Sequence, residues 1–515
     1  MGAGIAQLAC LAGARTLLHD PVPEALQRGL ERIPADLERG AARGRWSGEE
    51  AAAAAARLEP ADDLGALAEC RLVIEAAPES LELKHELFAT LSREVVGPGC
   101  VLASNTSSIP ITAIARAAER PERVVGMHFF NPAPLMRLVE VIAGVESSEP
   151  ALRVARATGE AMGRHVIDAA DVPGFLVNRC NRPFGLEALK LVQERIATVE
   201  AVDRICRMAG GFRMGPFELQ DLVGIDTGFE VSKSFYELGF GEPRWRPSPL
   251  TARMVAAGHL GRKTGRGWYS YAQEPYRPED PAPPDPIRPA RGDGRLVVVA
   301  GDLVVAQELR ALAAAAGFDT RSPEEAEGEV PWLAVDCGAD PDDVPLQGGP
   351  LLVLCAEGSL HQLDPAGGAA GFHALPPLEG TRLAELTRGP ETTSAASERG
   401  EAFFAALGRH VEWVGDAPGL VLGRIVCQVI NESAFAVGEG IGSEADVDAG
   451  MVLGLNHPRG PLAWADAIGL DHVLAVLDGL YDELREERYR AAPLLRRLVN
   501  HGRLGEPTGA GFHEH

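Results

Sequence analysis

The chain has 515 residues, which is too many for one hydrophobic core and predicts three or four structural units of roughly 100–200 residues each. Its 46% hydrophobic and 24% charged residues are typical of a soluble globular protein. The net charge of −24 argues against a nucleic-acid partner and against an anionic membrane surface, because both require a basic field.

The first part of the chain alternates between helix and strand patterns. Residues 2–13 predict a helix with small residues on its sheet-facing side, and Thr16–Asp20 predicts a short buried strand that ends in an acid. Three more apolar strands follow, at residues 71–75, 100–104 and 123–127. Buried strands that alternate with amphipathic helices are typical of a parallel, doubly wound α/β sheet, which we place at residues 1–170.

The later part of the chain repeats this order. From residue 171 the apolar period becomes 3.6, which predicts an all-helical domain over 171–272. Residues 273–294 hold seven prolines and predict an extended linker, because proline cannot continue a helix or a central strand. A buried strand at 295–301 then opens a second α/β domain over 295–415, and a second helical domain covers 416–515.

An internal repeat at an offset of 245 residues supports this organisation. The segment DVPGFLVNR at residues 171–179 returns as DAPGLVLGR at 416–424. The segment MGPFELQDLVGID at 214–226 returns as RGPLAWADAIGLD at 459–471. Coincidence does not account for so many matched positions, so the helical domain occurs twice.

The cysteines and the N-terminus bear on localisation. The eight cysteines are scattered without a CxxC pair, which favours reduced thiols in a cytoplasmic protein over a metal site or a disulfide framework. No apolar run reaches the ~18–20 residues of a membrane helix. The apolar residues 1–14 have a signal peptide as an alternative interpretation, but no basic residue precedes them, and Ala6 departs from the myristoylation pattern.

Several segments resemble the NAD-dependent 3-hydroxyacyl-CoA dehydrogenases, in that family's order and spacing. They are ASNTSS at 103–108, MHFFNP at 127–132, LVEVI at 138–142, PGFLVNR at 173–179 and KTGRGWY at 263–269. The resemblance spans residues 1–272, and the second half is similar to the fused, double-domain members of the family. It implies a Rossmann-like NAD domain followed by a helical domain, with the pair repeated in degenerate form.

Four polar residues are catalytic candidates through this resemblance. His128 would take the proton of the substrate's 3-hydroxyl, and Glu140 would hold His128 and compensate its charge. Ser107 and Asn178 would hydrogen-bond the substrate around its hydroxyl and thioester carbonyl. Taken without the family, His128 and Glu140 also suit core or edge positions, Ser107 suits a turn, and Asn178 suits a solvated helix start.

The resemblance also implies which residues lie beside NAD. Asp20 stands where a dinucleotide fold places the acid that binds the adenine ribose, although Asp20–Pro21 also suits a turn with a helix cap. Gly2 corresponds to the last part of the family's glycine-rich fingerprint, and Asn105 belongs to the ASNTSS segment. Glu79 and Lys84 match positions beside the cofactor, but they also suit a solvated helix start. No metal is expected.

The front of the fingerprint has no counterpart in this sequence. The first strand and the first two glycines are missing, which predicts a notch in the sheet and half a phosphate cradle. Two explanations are a start codon assigned about ten residues too late, or a real truncation that weakens NAD binding. A non-catalytic scaffold that retained the fold is the alternative function, although the four intact candidate residues argue against it.

The second half of the sequence predicts a role in holding the protein together as a pseudo-dimer rather than a second active site. At the 245 offset His128 falls on His373 and Glu140 on Glu385, whereas Asn178 falls on Gly423, so we interpret this copy as non-catalytic, with a second active site as the alternative. Two helical domains in one chain predict an intramolecular pseudo-dimer, with further homo-oligomers possible. The implied substrate is a short or medium acyl-CoA, either 3-hydroxybutyryl-CoA or 3-hydroxyadipyl-CoA, and another CoA- or hydroxyacid-linked activity is the runner-up.

Overall fold

A computed structural model of the chain describes residues 1–282, 291–338 and 348–515. Two compact units divide the chain: one combines Met1–Arg179 with Gly440–Leu455, and the other combines Cys180–Glu439 with Asn456–His515. The central part of the predicted linker, at 283–290, lies outside the described residues. In the described ranges, no helix is long and apolar enough to cross a membrane.

The first unit is built from short strands and the helices that connect them. The strands are β1 (Thr16–Leu18), β2 (Leu58–Pro60), β3 (Leu72–Glu75), β4 (Val101–Ser104), β5 (Val124–Phe129), β6 (Leu138–Ala143) and β7 (His165–Ala170). The helices are α1 (Gly2–Leu11), α2 (Pro23–Ala42), α3 (Gly48–Ala55), α4 (Leu81–Thr90), α5 (Ile111–Ala115), α6 (Glu149–Ala161) and, at the unit's boundary, α7 (Val177–Cys180).

The first sheet confirms the predicted parallel α/β architecture. Its strand order is β3-β4-β5-β6-β7, and every pairing is parallel except β5 with β6. The strands β4 and β5 are buried along their full length, which is why they consist of almost continuous apolar residues. β1 and β2 form a separate parallel pair. The antiparallel β5–β6 pairing was not predicted, and it places one candidate residue opposite another.

The second unit begins with helices of the first helical repeat. They are α8 (Arg182–Gln193), α9 (Val199–Met208), α10 (Pro216–Val223), α11 (Ile225–Leu238) and α12 (Pro249–Ala256). Pro216 and Pro249 each stand at the start of a helix, where the missing N–H costs no hydrogen bond. The prediction that the chain becomes helical after residue 171 is therefore confirmed in type.

The rest of the second unit contains a seven-stranded sheet and further helices. The strands are β8 (Leu296–Ala300), β9 (Asp319–Arg321), β10 (Leu333–Asp336), β11 (Leu351–Leu354), β12 (Ala370–His373), β13 (Leu383–Arg388) and β14 (His410–Trp413). The helices are α13 (Val304–Ala315), α14 (Leu360–Leu363), α15 (Ser394–Ala406), α16 (Leu422–Gly438), α17 (Glu444–Leu455, in the first unit), α18 (Pro461–Ile468), α19 (Leu470–Leu484) and α20 (Pro493–Asn500).

The order of β3–β7 in the first sheet matches that of β10–β14 in the second, and the two units differ in the strands beyond them. In the second sheet β8 lies between β9 and β10, giving the order β14-β13-β12-β11-β10-β8-β9. In the first unit no described strand joins the β1–β2 pair to β3. The shared antiparallel pairing, β5–β6 in one sheet and β12–β13 in the other, brings His128 opposite Glu140 and His373 opposite Glu385.

Helices of the two repeats pack together in the second unit. α8 of the first repeat packs against α16 of the second, where Arg424 donates to Glu187 Oε1 through Nε at 2.9 Å and Nη2 at 2.6 Å. Tyr489 donates to the same oxygen at 2.9 Å. Arg424 and Glu187 are both almost fully buried, and Arg424 Nη1 also donates to Glu194 Oε2 at 2.8 Å, so two carboxylates compensate the buried guanidinium.

Candidate active site

The antiparallel pairing of β5 and β6 brings His128 and Glu140 into direct contact. Both residues are buried, at 4% and 0% exposure, and His128 Nδ1 lies 2.6 Å from Glu140 Oε2. The other oxygen of Glu140 accepts the backbone N–H groups of Leu176 at 3.1 Å and Val177 at 2.9 Å. Because this carboxylate acts throughout as an acceptor, Nδ1 is the ring nitrogen that carries a proton, and the lone pair lies on Nε2.

Ser107 lies at the open side of the histidine ring. Its Oγ is 3.1 Å from His128 Nε2, which is hydrogen-bonding distance. The rings of Phe130 and Phe175 lie 4.7 and 5.8 Å from the imidazole, centroid to centroid. Nε2 therefore faces a hydroxyl group, and two phenylalanine rings lie beside the imidazole. This arrangement suits a group that accepts a proton from an alcohol.

The loop that carries Ser107 is held by Glu79. Glu79 Oε1 accepts hydrogen bonds from Thr106 Oγ1 at 2.6 Å and from the N–H groups of Ser107 and Ser108 at 2.9 and 3.0 Å. Burial alone would raise the pKa of Glu79, but these hydrogen bonds and the charge of Lys84 outweigh it and lower the pKa. Glu79 is thus an ionised anchor for the Ser107 loop.

Lys84 is enclosed by carboxylates. Its side chain is 1% exposed, and Nζ lies 2.7 Å from Glu75 Oε1 and 3.6 Å from Glu79 Oε2. Ser104 donates to the other oxygen of Glu75 at 2.6 Å. Glu75 was not predicted as a site residue, although an acid at the end of an apolar strand was the same signal that singled out Asp20.

The remaining predicted residues occupy three separate places. Asn178 is half-buried and follows Val177, one of the donors to Glu140. Asn105 Oδ1 accepts the N–H of Phe129 at 2.8 Å, so it ties the loop after β4 to the residue that follows His128. Gly2 is the first residue of α1. Asp20 follows β1 and accepts the N–H of Val22 at 2.9 Å, so it forms the turn that was the alternative interpretation of Asp20–Pro21.

An arginine-lined cavity of about 270 Å³ lies beside the loop that follows His128. Pro132, Pro134 and Leu135 of that loop line one part, and Trp46 lines another. Four arginines contribute to the remainder: Arg32, Arg39, Arg43 and Arg45. Arg32 and Arg39 pair with Asp36, whereas Arg43 and Arg45 form no ion pair with the described residues. The segment RGAARGRW at 39–46 carries the signal for this cavity, which was not predicted.

The second copy keeps the strand register but not the histidine–glutamate contact. Glu385 accepts the N–H of Val421 on Oε2 at 2.8 Å and the N–H of Leu422 on Oε1 at 3.0 Å, whereas Glu140 accepts both of its backbone N–H groups on Oε1 alone. His373 instead directs Nε2 at His472 Nε2, 3.2 Å away, and its Nδ1 is buried without a hydrogen-bond partner in the described part of the chain.

Burial neutralises this second cluster. It raises the pKa of Glu385 to about 8, even though the two backbone N–H groups act in the opposite direction. It lowers the pKa of His373 well below the ordinary value, assisted by the neighbouring His472, and it lowers the pKa of His472 to about 4. Near neutral pH, both imidazoles are therefore uncharged and the carboxyl group is largely protonated.

A side chain caps the carboxyl end of β8 in the second sheet. Arg310, from α13, donates to the carbonyl oxygens of Val299 at 3.1–3.2 Å and of Gly301 at 2.6 Å. These carbonyls lie at the carboxyl end of β8, the position where a dinucleotide fold meets its ligand. The sequence has no glycine-rich turn after β8, but the role of Arg310 was not predicted.

The sequence matches two family models. Residues 1–172 match the "3-hydroxyacyl-CoA dehydrogenase, NAD binding domain", and residues 174–271 and 419–515 match the "3-hydroxyacyl-CoA dehydrogenase, C-terminal domain". The second match occurs twice, as the internal repeat predicts.

Individual relatives agree with these matches. The chain is 35% identical over 496 residues to 3-hydroxyadipyl-CoA dehydrogenase of Escherichia coli (strain K12), covering 96% of this chain and 94% of the relative. A probable 3-hydroxybutyryl-CoA dehydrogenase of Bacillus subtilis (strain 168) is 40% identical over 53% of this chain and 95% of its own length. The crystal structure of 3-hydroxybutyryl-CoA dehydrogenase from E. coli K12 superposes with a TM-score of 0.81 at 32% identity, covering 98% and 97% of the two chains. The resemblance seen in the sequence is confirmed, and the chain belongs to the 3-hydroxyacyl-CoA dehydrogenase family.

Proposed function

We propose that the chain oxidises (S)-3-hydroxyacyl-CoA to 3-oxoacyl-CoA with NAD. The observation that carries the proposal is the buried His128–Glu140 pair, which leaves His128 Nε2 as a proton acceptor beside Ser107. Loss of a hydride from C3 requires the 3-hydroxyl to become alkoxide-like, and a base within hydrogen-bonding distance lowers that barrier. The proposal thus depends on one nitrogen that faces the Ser107 hydroxyl beside two phenylalanine rings.

Four residues of the chain perform the proton step in this proposal. His128 Nε2 takes the hydroxyl proton, and Glu140 compensates the positive charge that develops on the imidazole. Two backbone N–H groups hold the Glu140 carboxylate in place, so it reorganises little as that charge appears. Ser107 and Asn178 hydrogen-bond the substrate around its hydroxyl and its thioester carbonyl. NAD, when bound, supplies the hydride-accepting nicotinamide.

Residues that flank β1 and residues that follow β3 and β4 suit NAD. The first turn of α1, beginning at Gly2, offers backbone N–H groups to a pyrophosphate, and the Asp20 carboxylate suits the adenine ribose hydroxyls. Because Asn105 Oδ1 is occupied by Phe129, its amide NH2 is the group left to donate toward the nicotinamide end. Glu79 and Lys84 lie near these residues, but their polar atoms already form hydrogen bonds and ion pairs within the protein.

The arginine-lined cavity supports a CoA thioester rather than a simple hydroxy acid. A chain with a net charge of −24 repels polyanions in general, so a local group of arginines marks a place where phosphates are tolerated. Arg43 and Arg45 are available for such a ligand, because their charges are not used by an ion pair in the described residues. The cavity borders Pro132, four residues after His128, which suits a ligand that reaches from nucleotide to thioester.

The names of the relatives suggest the substrate class, and an activity assay tests it. The relatives named above act, by their names, on 3-hydroxyadipyl-CoA or 3-hydroxybutyryl-CoA, so we propose a short or dicarboxylic acyl chain. Purified protein is given NAD with each of these substrates, and NADH absorbance is followed. Turnover with at least one is expected. If the protein binds NAD, as measured by fluorescence titration, but turns over neither substrate, the scaffold alternative replaces this proposal.

We further propose that residues 295–515 form a non-catalytic copy and that the chain is a cytoplasmic pseudo-dimer. The altered His373 contact and the Arg310 side chain that caps the carboxyl end of β8 support the first statement. The α8–α16 packing with its buried Arg424–Glu187 ion pair supports the second. Eight cysteines without a disulfide suit a reducing compartment.

We also propose that the first sheet lacks the strand that β8 provides in the second. The break between the β1–β2 pair and β3 supports this, because β8 fills the corresponding place between β9 and β10. A fusion that adds a strand and a glycine-rich turn before Met1 is expected to tighten NAD binding in a fluorescence titration. An unchanged affinity would argue that the present sheet already binds NAD fully.

A further inference from the structure

Helix α17 belongs to the second helical repeat in sequence, yet it packs against β6 and β7 of the first sheet. Side chains two residues apart on a strand share a face, so Leu138 lies on the same face as Glu140. Ile167 is the register partner of Glu140 across the β6–β7 pairing, and its side chain lies on that face too. α17 therefore covers the sheet beside the His128–Glu140 pair.

Two glycines allow this helix to approach closely. A methyl group at Gly450 would lie 2.6 Å from Val177 Cγ2 and 3.2 Å from Ile167 Cδ1. One at Gly454 would lie 2.7 Å from Leu138 Cδ2 and 3.3 Å from Phe130 Cε1. Residues four apart in a helix lie on the same side, so Gly450 and Gly454 form one continuous contact surface.

The side chains that touch these glycines lead directly to the two candidate catalytic groups. The N–H of Val177 donates to Glu140 Oε1 at 2.9 Å, and the ring of Phe130 lies 4.7 Å from the ring of His128. The other donor to Glu140, Leu176, packs in the same way against Gly442, where a methyl group would lie 2.5 Å from Leu176 Cδ2. The segment 440–455 thus contacts the immediate neighbours of both His128 and Glu140.

We infer that Gly450 and Gly454 of the second repeat are positioning residues for the His128–Glu140 pair of the first. The inference rests on the proposed function for the identity of the reaction. Their counterparts at the 245 offset are Ile205 and Ala209, at the end of helix α9, which packs against β13 of the second sheet. The glycine pair is therefore specific to the helix that covers the first sheet, and the non-catalytic half contributes to the active site of the catalytic half.

The test adds one methyl group in the full-length protein. In Gly450→Ala the new methyl meets Val177, whose β-branched side chain has little rotational freedom, so the Val177 backbone and its N–H must move. Displacement of a catalytic pair by a fraction of an ångström is expected to lower kcat by about 10- to 100-fold, with the KM values for NAD and acyl-CoA unchanged. The matched control is Gly438→Ala, whose methyl makes an ordinary contact at 3.5 Å with Leu494 and leaves kcat unchanged.

A second-site change tests the route of the effect. Adding Val177→Ala to Gly450→Ala removes the colliding methyl groups and is expected to restore much of kcat. A folded Gly450→Ala protein with wild-type kcat, or one in which only KM changes, overturns the inference. If Gly450→Ala does not fold, Gly454→Ala carries the same expectation, because its methyl meets the terminal atoms of Leu138 and Phe130.

A measurement independent of turnover separates this inference from the proposed function. The His128 Nδ1–H proton, bound to Glu140, gives a downfield NMR signal that can be assigned by its loss in His128→Ala. That signal is expected to move in Gly450→Ala and to stay in place in Gly438→Ala. A wild-type protein without turnover would reject the proposed function alone, whereas an unmoved signal would reject the positioning role alone.

Discussion

The two histidine–glutamate pairs of this chain share a backbone and differ in their chemistry. In both sheets an antiparallel pairing sets the histidine opposite the glutamate, and in both the glutamate accepts two consecutive backbone N–H groups. Only His128 turns Nδ1 toward its glutamate, whereas His373 turns Nε2 toward His472. Strand register therefore places the two groups close together, but it does not decide whether they interact.

Two neighbouring positions account for the difference. Gly423 stands where the first copy has Asn178, and a side chain there would collide with the His373 ring, so the ring occupies the space that an asparagine would need. His472 stands where the first copy has Thr227, and it blocks the Nε2 atom that would face a substrate. In these two copies, the residues around the histidine–glutamate pair determine whether the two groups make contact.

The largest expected effect is the difference between the two histidines. His128→Ala removes the proposed proton acceptor and should lower kcat by about 10²- to 10⁴-fold. His373→Ala should leave kcat unchanged, because Nε2 of His373 is already occupied by His472. Steady-state NADH formation measures both, with circular dichroism as the control for folding. Equal losses in the two variants would show that the second pair is also catalytic.

A smaller effect is expected at the arginine-lined cavity of the first copy. Residues 19–71 connect β1 to β3 and include α2, which carries cavity arginines, whereas only 322–332 connect β9 to β10. Arg43→Ala combined with Arg45→Ala should raise KM for the CoA substrate about tenfold and leave kcat unchanged. The control substrate is the same acyl group on pantetheine, which lacks the nucleotide phosphates. An equal rise in KM for both substrates would place the CoA nucleotide elsewhere.

Much of the fold and of the candidate site could be predicted from the sequence, because both depend on local patterns. Buried parallel strands are continuous apolar runs, and the offset of 245 residues relates His128 to His373 through the sequence alone. The β8 strand and the helical character after residue 171 followed from the same patterns. The sequence also placed Glu140 near His128, but only through the resemblance to a family.

Other features depend on side-chain direction and on contacts distant in sequence. The enclosure of Lys84 by Glu75 and Glu79 could not be predicted, because a lysine in the first turns of a helix is usually solvated. The turn of His373 away from Glu385 depends on His472, which lies 99 residues away in the chain and approaches His373 only in the fold. The packing of α17 from the second repeat on the first sheet joins residues far apart in the chain. Predicted domain boundaries likewise do not show this crossing.

The substitution Gly423→Asn tests the difference between the two copies through its effect on the free energy of unfolding. Gly423→Asn restores the residue of the first copy, but its side chain must displace the buried His373 ring, and such overpacking is expected to cost about 1–3 kcal/mol of unfolding free energy. Denaturant unfolding measures this loss, and Gly438→Ala in the same helix is the control. Turnover should not change, and activity that appears in Gly423→Asn on a His128→Ala background would reveal a recoverable second site.

A last expected effect is the pH dependence that Glu385 gives to stability. Its pKa is about 8 in the folded protein and near 4.5 in the unfolded chain, so between these values the folded state binds more protons. The contribution of Glu385 is therefore full below about pH 4.5 and is lost as the pH rises through about 8. Glu385→Gln keeps the neutral form at every pH, so the stability advantage of the wild type over this variant should shrink across that window.

Urea unfolding at a series of pH values measures this difference, and Glu49→Gln, at an exposed position, is the control whose difference from wild type should stay flat. The buried His373 and His472 lose stability in the opposite direction, as the pH falls below 6.5, but both variants retain them, so their effect cancels. A wild-type advantage that grows with pH would mean that Glu385 is ionised and paired in the fold, and the neutral, unpaired state inferred for the second cluster would then be wrong.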